Sequence, residues 1–148
     1  MKNKILITLL SFAFVLVFIA CNSEASEKSK LKKECASMLA SDVKGVLKST
    51  IDGSTMGLGS MILNFTMSEK QQDSLVISPI IKDVNKALDK KTLPELRELK
   101  TNKTKRYMLI AEALKEKAPA LKEGISKYSE KGGEIIEALT NAFQNSTK

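Results

Sequence analysis

Histidine and tryptophan are both absent from this 148-residue chain, and aromatic residues make up only 5% of it. Without histidine there is no Ser-His or Cys-His pair to activate a nucleophile, and no imidazole to hold a metal ion. Cysteine occurs only at Cys21 and Cys35, too few for a thiolate cage. No phosphate-cradling loop is present: Gly57-Leu58-Gly59 runs on into Ser60-Met61-Ile62, so the third glycine of Gly-x-Gly-x-x-Gly is missing. Alternation with period two is lacking as well. Val76-Ile77 is the one β-leaning spot, and nothing argues for a sheet.

What the chain does have begins at its start. Lys2 and Lys4 form a short positive region, and Ile5 to Ala20 is apolar except for Thr8 and Ser11. Small Ala20 precedes Cys21, after which the composition turns polar at Asn22-Ser23-Glu24. This order is that of an export signal, to be left out of fold reasoning. Phe18-Ile19-Ala20-Cys21 resembles the end of a bacterial lipoprotein signal. Ile19, Ala20 and Cys21 fit that motif, and Phe18 stands where the family has leucine, a departure of the kind known in spirochaete lipoproteins. The resemblance implies removal of residues 1–20, a diacylglycerol thioether on Cys21 and an acyl chain on the new amine. More than one acyl chain gives stable anchoring. Two other readings stay open. An uncleaved span is one, although 16 residues fall short of the roughly 17–25 that cross a bilayer; a secretory signal with an incidental cysteine is the other. Asn22 permits outer-membrane sorting under the enteric rule, so the expected place is the cell envelope, outer membrane (periplasmic or surface-exposed) rather than inner.

Cleavage would leave one domain with a modest core. Its 22 basic residues face 17 acidic ones, a net of +5. Residues 21–29 read as the lipidated cysteine and a polar tether, 30–144 as a single helical domain, and 145–148 as a polar tail. Leu31, Cys35, Met38-Leu39, Val43, Val46-Leu47 and Ile51 recur at three and four residues, the stripe of an amphipathic helix. Cys35 falls on that stripe as a small buried residue, with pairing between chains the alternative. Asp52 to Thr55 reads as a turn, and 56–67 carries no charge, a length suited to a buried helix. Gln71 to Ser74 reads as a linker, with Ser78-Pro79 opening the next helix. Thr92-Leu93-Pro94-Glu95 has the form of a capping box. A stripe from Tyr107 to Tyr128 follows, interrupted at Pro119, where a kink or new start is expected. Ile135-Ile136, Leu139 and Phe143 mark a last helix after Gly132-Gly133. The expected fold is all-α, a compact bundle of five to six short helices.

Three constellations compete for function. Lys100, Lys103, Lys105 and Arg106 stand together with no acid between Glu98 and Glu112. They form a candidate anion site for anionic lipid headgroups, sulfated glycans or an envelope or host protein, or else a solvated connector. Nucleic acid is disfavoured, because no aromatics interleave for base stacking. Gly53, Gly57 and Gly59 beside the uncharged stretch are a candidate for self-association or docking on a membrane complex. Ser41-Asp42-Val43-Lys44 and Ser29-Lys30-Leu31-Lys32 resemble the Ser-x-x-Lys motif of penicillin-binding proteins and β-lactamases, without the partner motifs of those enzymes. The acid pairs Glu95/Glu98 and Glu134/Glu137 would serve a carboxylate hydrolase, yet no aromatics suggest a cleft. The reading is a non-catalytic binding module without metal or cofactor, held to the membrane by lipid at Cys21.

Overall fold

A computed structural model describes residues 2–54, 67–128 and 132–147, with side chains from residue 23 to 51 in the first span. Gly57, Gly59, residues 56–66 of the uncharged stretch and the side chain of Cys21 therefore lie outside the described residues. Gly53 falls on helix, which runs on to Ser54 where a turn was expected at 52–55, because no proline stands there to stop it. The expected all-α architecture is what the structure has. Its elements are α1 (Lys2–Ser54), α2 (Glu69–Gln72), a π turn (Asp73–Ile77), α3 (Ser78–Asp89), α4 (Leu93–Thr101), α5 (Lys103–Ser126) and α6 (Gly132–Asn145). Because α2, the π turn and α3 run on without a break, five helices pack together among the described residues. Among the residues whose side chains are described, no helix is long and apolar enough to cross a membrane.

The α1 stripe is buried as its spacing predicts. Leu31, Cys35, Leu39, Val43, Leu47 and Ile51, four apart, all face the core, each stacked a little over one turn above the last. Cys35 is fully buried and its thiol donates to the Leu96 carbonyl at 3.3 Å. Burial pushes this thiol above its ordinary pKa, and pairing with another chain is closed to it while the domain is folded. The helix also differs from expectation. It runs straight through 22–29, read from sequence as a tether. That stretch contains neither proline nor glycine, so nothing in it stops a helix, and Glu27 is held by Arg97 of α4 at 2.6 Å.

The start of the second rod is corrected too. Ser68, not Ser78, opens it: Ser68 N–H donates to Gln71 Oε1 at 2.8 Å and Ser68 Oγ accepts from Gln71 N–H. Gln71 to Ser74 is helix rather than linker. Pro79 sits about three turns inside the continuous rod, where it lacks an N–H and its ring crowds the carbonyl four residues back. The chain meets this by widening the preceding turn, so Ser78 N–H reaches the Asp73 carbonyl five residues back. The extra residue per turn puts Val76 and Ile77 on the core side together, in line with Ile80, Val84 and Leu88.

Thr92 caps α4: its N–H and its hydroxyl both donate to Glu95 Oε2 at 2.7 Å. These bonds and the Lys91 ammonium hold the Glu95 carboxyl down at about 2. Asn102 alone separates α4 from α5, and its side chain caps α5 by accepting from Lys105 N–H at 3.1 Å. Pro119 neither breaks α5 nor starts a new helix. It is exposed, as is Lys115, whose carbonyl it leaves free to water, while buried Leu114 and Leu121 hold the axis. Tyr128 is about half exposed in the turn after α5, so the stripe ends at Ile125. α5 and α6 pack antiparallel. Gly132 lies against Ile125 at one end of the hairpin, and Tyr107 meets Phe143 edge-on at 4.9 Å at the other.

Candidate functional site

The cations of 100–106 are brought together by the short α4–α5 connection, but most are already occupied. Lys100 pairs with Glu34 of α1 at 2.8 Å and Lys105 with Glu98 at 2.5 Å. In this contact the Glu34 carboxylate raises the Lys100 pKa and the Lys100 ammonium lowers that of Glu34. Lys103 lies over the Tyr107 ring, 5.1 Å from its centre. Arg106 leaves the candidate anion site altogether. It is only 7% exposed, its Nε donates to Asp42 Oδ2 at 2.7 Å, and its Nη1 donates to the carbonyls of Leu99 and Lys100. Those carbonyls belong to the last turn of α4, which has no intrahelical donors for them, so Arg106 is a C-terminal cap bolted to α1. One signal in the sequence pointed there: Arg106 is four residues before Ile110 and eight before Leu114, on the buried stripe of α5.

The hydrolase candidates are dispersed. Ser41 is exposed on α1, and the Lys44 ammonium contacts Asp73 at 3.1 Å. Lys32, of the second Ser-x-x-Lys, is paired with Asp89. Glu95 serves its cap, Glu98 holds Lys105, and Glu137 holds Lys122 at 3.3 Å. Among the described residues no His, Cys, Asp or Glu side chains cluster as metal ligands.

The feature that sequence reasoning missed is a groove between α1 and the α2–α3 rod. Two hollows, of about 420 and about 450 Å³, share Lys44, Asp73 and Ile77. The Lys44–Asp73 pair, with both side chains about half exposed, straps the groove at this shared point. Leu47, Ile51 and Ile77 floor one half, and Ile77 and Ile81 the other. Lys48 and Lys82 stand on the rims, facing Glu69 across the first half and Asn85 along the second. Asn85 Oδ1 is buried with no hydrogen-bond partner among the described residues, and a buried polar atom left so calls for an explanation. The π turn at Pro79 makes the groove, since it sets where Asp73 and Ile77 face. Ser78-Pro79 was the local signal, but its partner wall lies some 30 residues earlier. A third hollow of about 510 Å³, between α3 and α5, is walled mostly by charges. There Asp83 holds Lys86 at 3.1 Å and Lys117 at 3.0 Å, contacts that, the Lys117 one foremost, lower its pKa. No protein-family model, curated protein or solved structure matches this chain.

Proposed function

We propose that this chain is a lipid-anchored bacterial envelope protein whose helical domain is a non-catalytic binding module for an envelope or host protein. The anchor rests on the positive start, the apolar run and the Phe18-Ile19-Ala20-Cys21 ending. The binding role rests on the groove strapped by Lys44 and Asp73. An apolar floor with a few placed charges is the usual make-up of a recognition site. Lys44 lies 23 residues beyond Cys21 on one helix, about 34 Å at 1.5 Å per residue. That is well clear of the headgroups. Lys44, Lys48 and Lys82 exceed the acids of the groove in number. The ligand they suit is a peptide segment presenting an aliphatic side chain next to a carboxylate, with the carboxylate competing for Lys44.

The test uses the lipidated chain in its own cells. Intact mass reads the acyl chains on Cys21, and photo-crosslinkers placed at Lys48, Lys82 and Lys127 read contact. Expected are discrete adducts from the two groove positions, weakened by Asp73→Lys, and none from Lys127. An unmodified Cys21 overturns the anchor. Silence at both groove positions, on cells and in solubilised envelopes, overturns the groove. An adduct to a second copy of the chain would assign self-association instead.

A further inference from the structure

We propose that the anchor-side end of the domain is a cationic foot that lies on anionic lipid headgroups and fixes how the domain stands on the membrane. It rests on the lipid-anchor reading of Cys21. The first observation is that α1 has no break between that cysteine and the bundle. Glu27, which Arg97 holds, is six residues past Cys21, about 9 Å along a helix.

The second observation is what gathers at that level. Arg97–Glu27 at 2.6 Å, Lys32–Asp89 and Lys100–Glu34 at 2.8 Å draw the α3–α4 turn and α4 against residues 27–34 of α1. Lys105–Glu98 brings in the start of α5. Lys100 of the basic cluster is thus tied to the anchor side of the bundle, whereas Arg106 is tied to Asp42, eight residues farther along α1.

The third is charge. Residues 23–34 and 89–105 hold ten cations against six acids, which is +4 of the +5 carried after Ala20. Five of the six acids are also engaged: Glu27, Glu34, Asp89, Glu95 and Glu98 each hold a cation of the same end. Lys28, Lys30, Lys33 and Lys90 form no ion pair among the described residues, and Lys103 lies over a ring rather than a carboxylate. A surplus of cations held close to the headgroups is attracted by an anionic leaflet, and the attraction fades within a Debye length of about 8 Å. The lipid thus supplies attachment and the foot supplies orientation, the two-signal pattern of stable membrane association.

Lysine footprinting on the full lipidated chain tests this. The protein is placed in vesicles of phosphatidylcholine alone, or with phosphatidylglycerol added, and acylated with an amine reagent. Expected is a several-fold fall in labelling of Lys30, Lys33, Lys90 and Lys103 with phosphatidylglycerol, reversed by high salt, with Lys70 and Lys127 unchanged. The combined Lys33→Glu, Lys90→Glu and Lys103→Glu variant, folded by circular dichroism, should lose the protection. Equal labelling in both vesicles, on a sample whose intact mass shows acylated Cys21, overturns the foot and leaves the anchor standing. A sample without lipid on Cys21 overturns both. Protection by heparin without vesicles, and none by phosphatidylglycerol, overturns the foot in favour of a sulfated glycan site.

Discussion

Asp42→Ala is the most informative single change to the fold, because it removes the only carboxylate on a buried guanidinium. Arg106 is 7% exposed, and its Nε is bound to Asp42 Oδ2 at 2.7 Å. Breaking a buried pair from one side costs about 3–5 kcal/mol, since the remaining charge stays desolvated. The Leu99 and Lys100 carbonyls still accept from Arg106, and the Asp42 side chain is itself 16% exposed. Water therefore reaches the gap, and the loss falls at the low end, about 3 kcal/mol. For a domain of this size that lowers the melting temperature by roughly 10 °C. Arg106→Met on its own leaves two helix-end carbonyls and one carboxylate short of donors, roughly 2–3 kcal/mol. Asp42→Leu with Arg106→Met removes both charges and should come back to within about 1 kcal/mol of the parent. Urea unfolding followed by circular dichroism at 222 nm, with Asp42→Leu added as the matching single variant, closes the cycle. An Asp42→Ala variant within about 0.5 kcal/mol of the parent would refute the reasoning. The guanidinium would then be satisfied by solvent and restored to the candidate anion site.

Gly132 and Gly133 should respond with opposite signs to alanine. A Cβ on Gly132 runs into the Ile125 side chain and comes within 3.2 Å of its backbone carbon. Ile125 is 1% exposed and has nowhere to go, so Gly132→Ala costs about 1–3 kcal/mol. Gly133→Ala meets open space and gains about 0.4–1 kcal/mol; two losses in urea unfolding would refute the packing of the α5–α6 turn. Glu95 sets a pH dependence. Its carboxyl is depressed from 4.5 to about 2 by the Thr92 N–H, the Thr92 hydroxyl and Lys91, so its contribution is whole above pH 4.5 and is lost as pH falls toward 2. Glu95→Gln should flatten the acid limb of the stability profile in that window, and an unchanged limb would count against the cap. With Cys21 acylated, Cys35 is the one thiol left, buried and bound to the Leu96 carbonyl. An aromatic disulfide reagent should label it only at the rate of global unfolding, and rapid labelling of native protein would show that the α1–α4 seam opens locally.

The parts of this fold that could be read in advance are those set within one or two turns. The stripe from Leu31 to Ile51 repeats every four residues and is buried throughout. Thr92 and Glu95, three apart, form their cap in place. Ile135-Ile136, Leu139 and Phe143 pack as their spacing demands. Ser78-Pro79 misled because proline at the first turn of a helix and proline one turn behind a π bulge have the same local sequence. Only Val76 and Ile77, buried together by that bulge, tell them apart. At 22–29 polarity reads as a tether, although its serines and asparagine each cost a helix less than about 0.7 kcal/mol and Glu27 is held by Arg97. The cluster at Lys100–Arg106 was visible as charge but not as chemistry. Its carboxylates, Glu34 and Asp42, lie more than 60 residues back, and no local rule foretells that a cation is already spent. The groove was invisible for the same reason, with one wall on α1 and the other beyond residue 67.

The continuity of α1 links the two proposals in a way that a tether would not. Eight residues of flexible coil between Cys21 and the bundle would have a root-mean-square reach of about 16 Å in any direction. The basic end would then spend most of its time beyond a Debye length from the headgroups. A helix over the same residues is about 12 Å long with one direction, so an upright rod also holds the α3–α4 turn beyond a Debye length, and the cations there meet the headgroups when the rod leans. Charge attractions of about 1 kcal/mol per cation are weak against that coil and sufficient on a rigid base, because they need only choose among tilts of a body already held down by lipid. The same rod carries Lys44 at its far end. A tilt chosen at the foot is therefore transmitted to the groove without loss, and a ligand that opens the Lys44–Asp73 strap acts on a site whose outlook has been set from below.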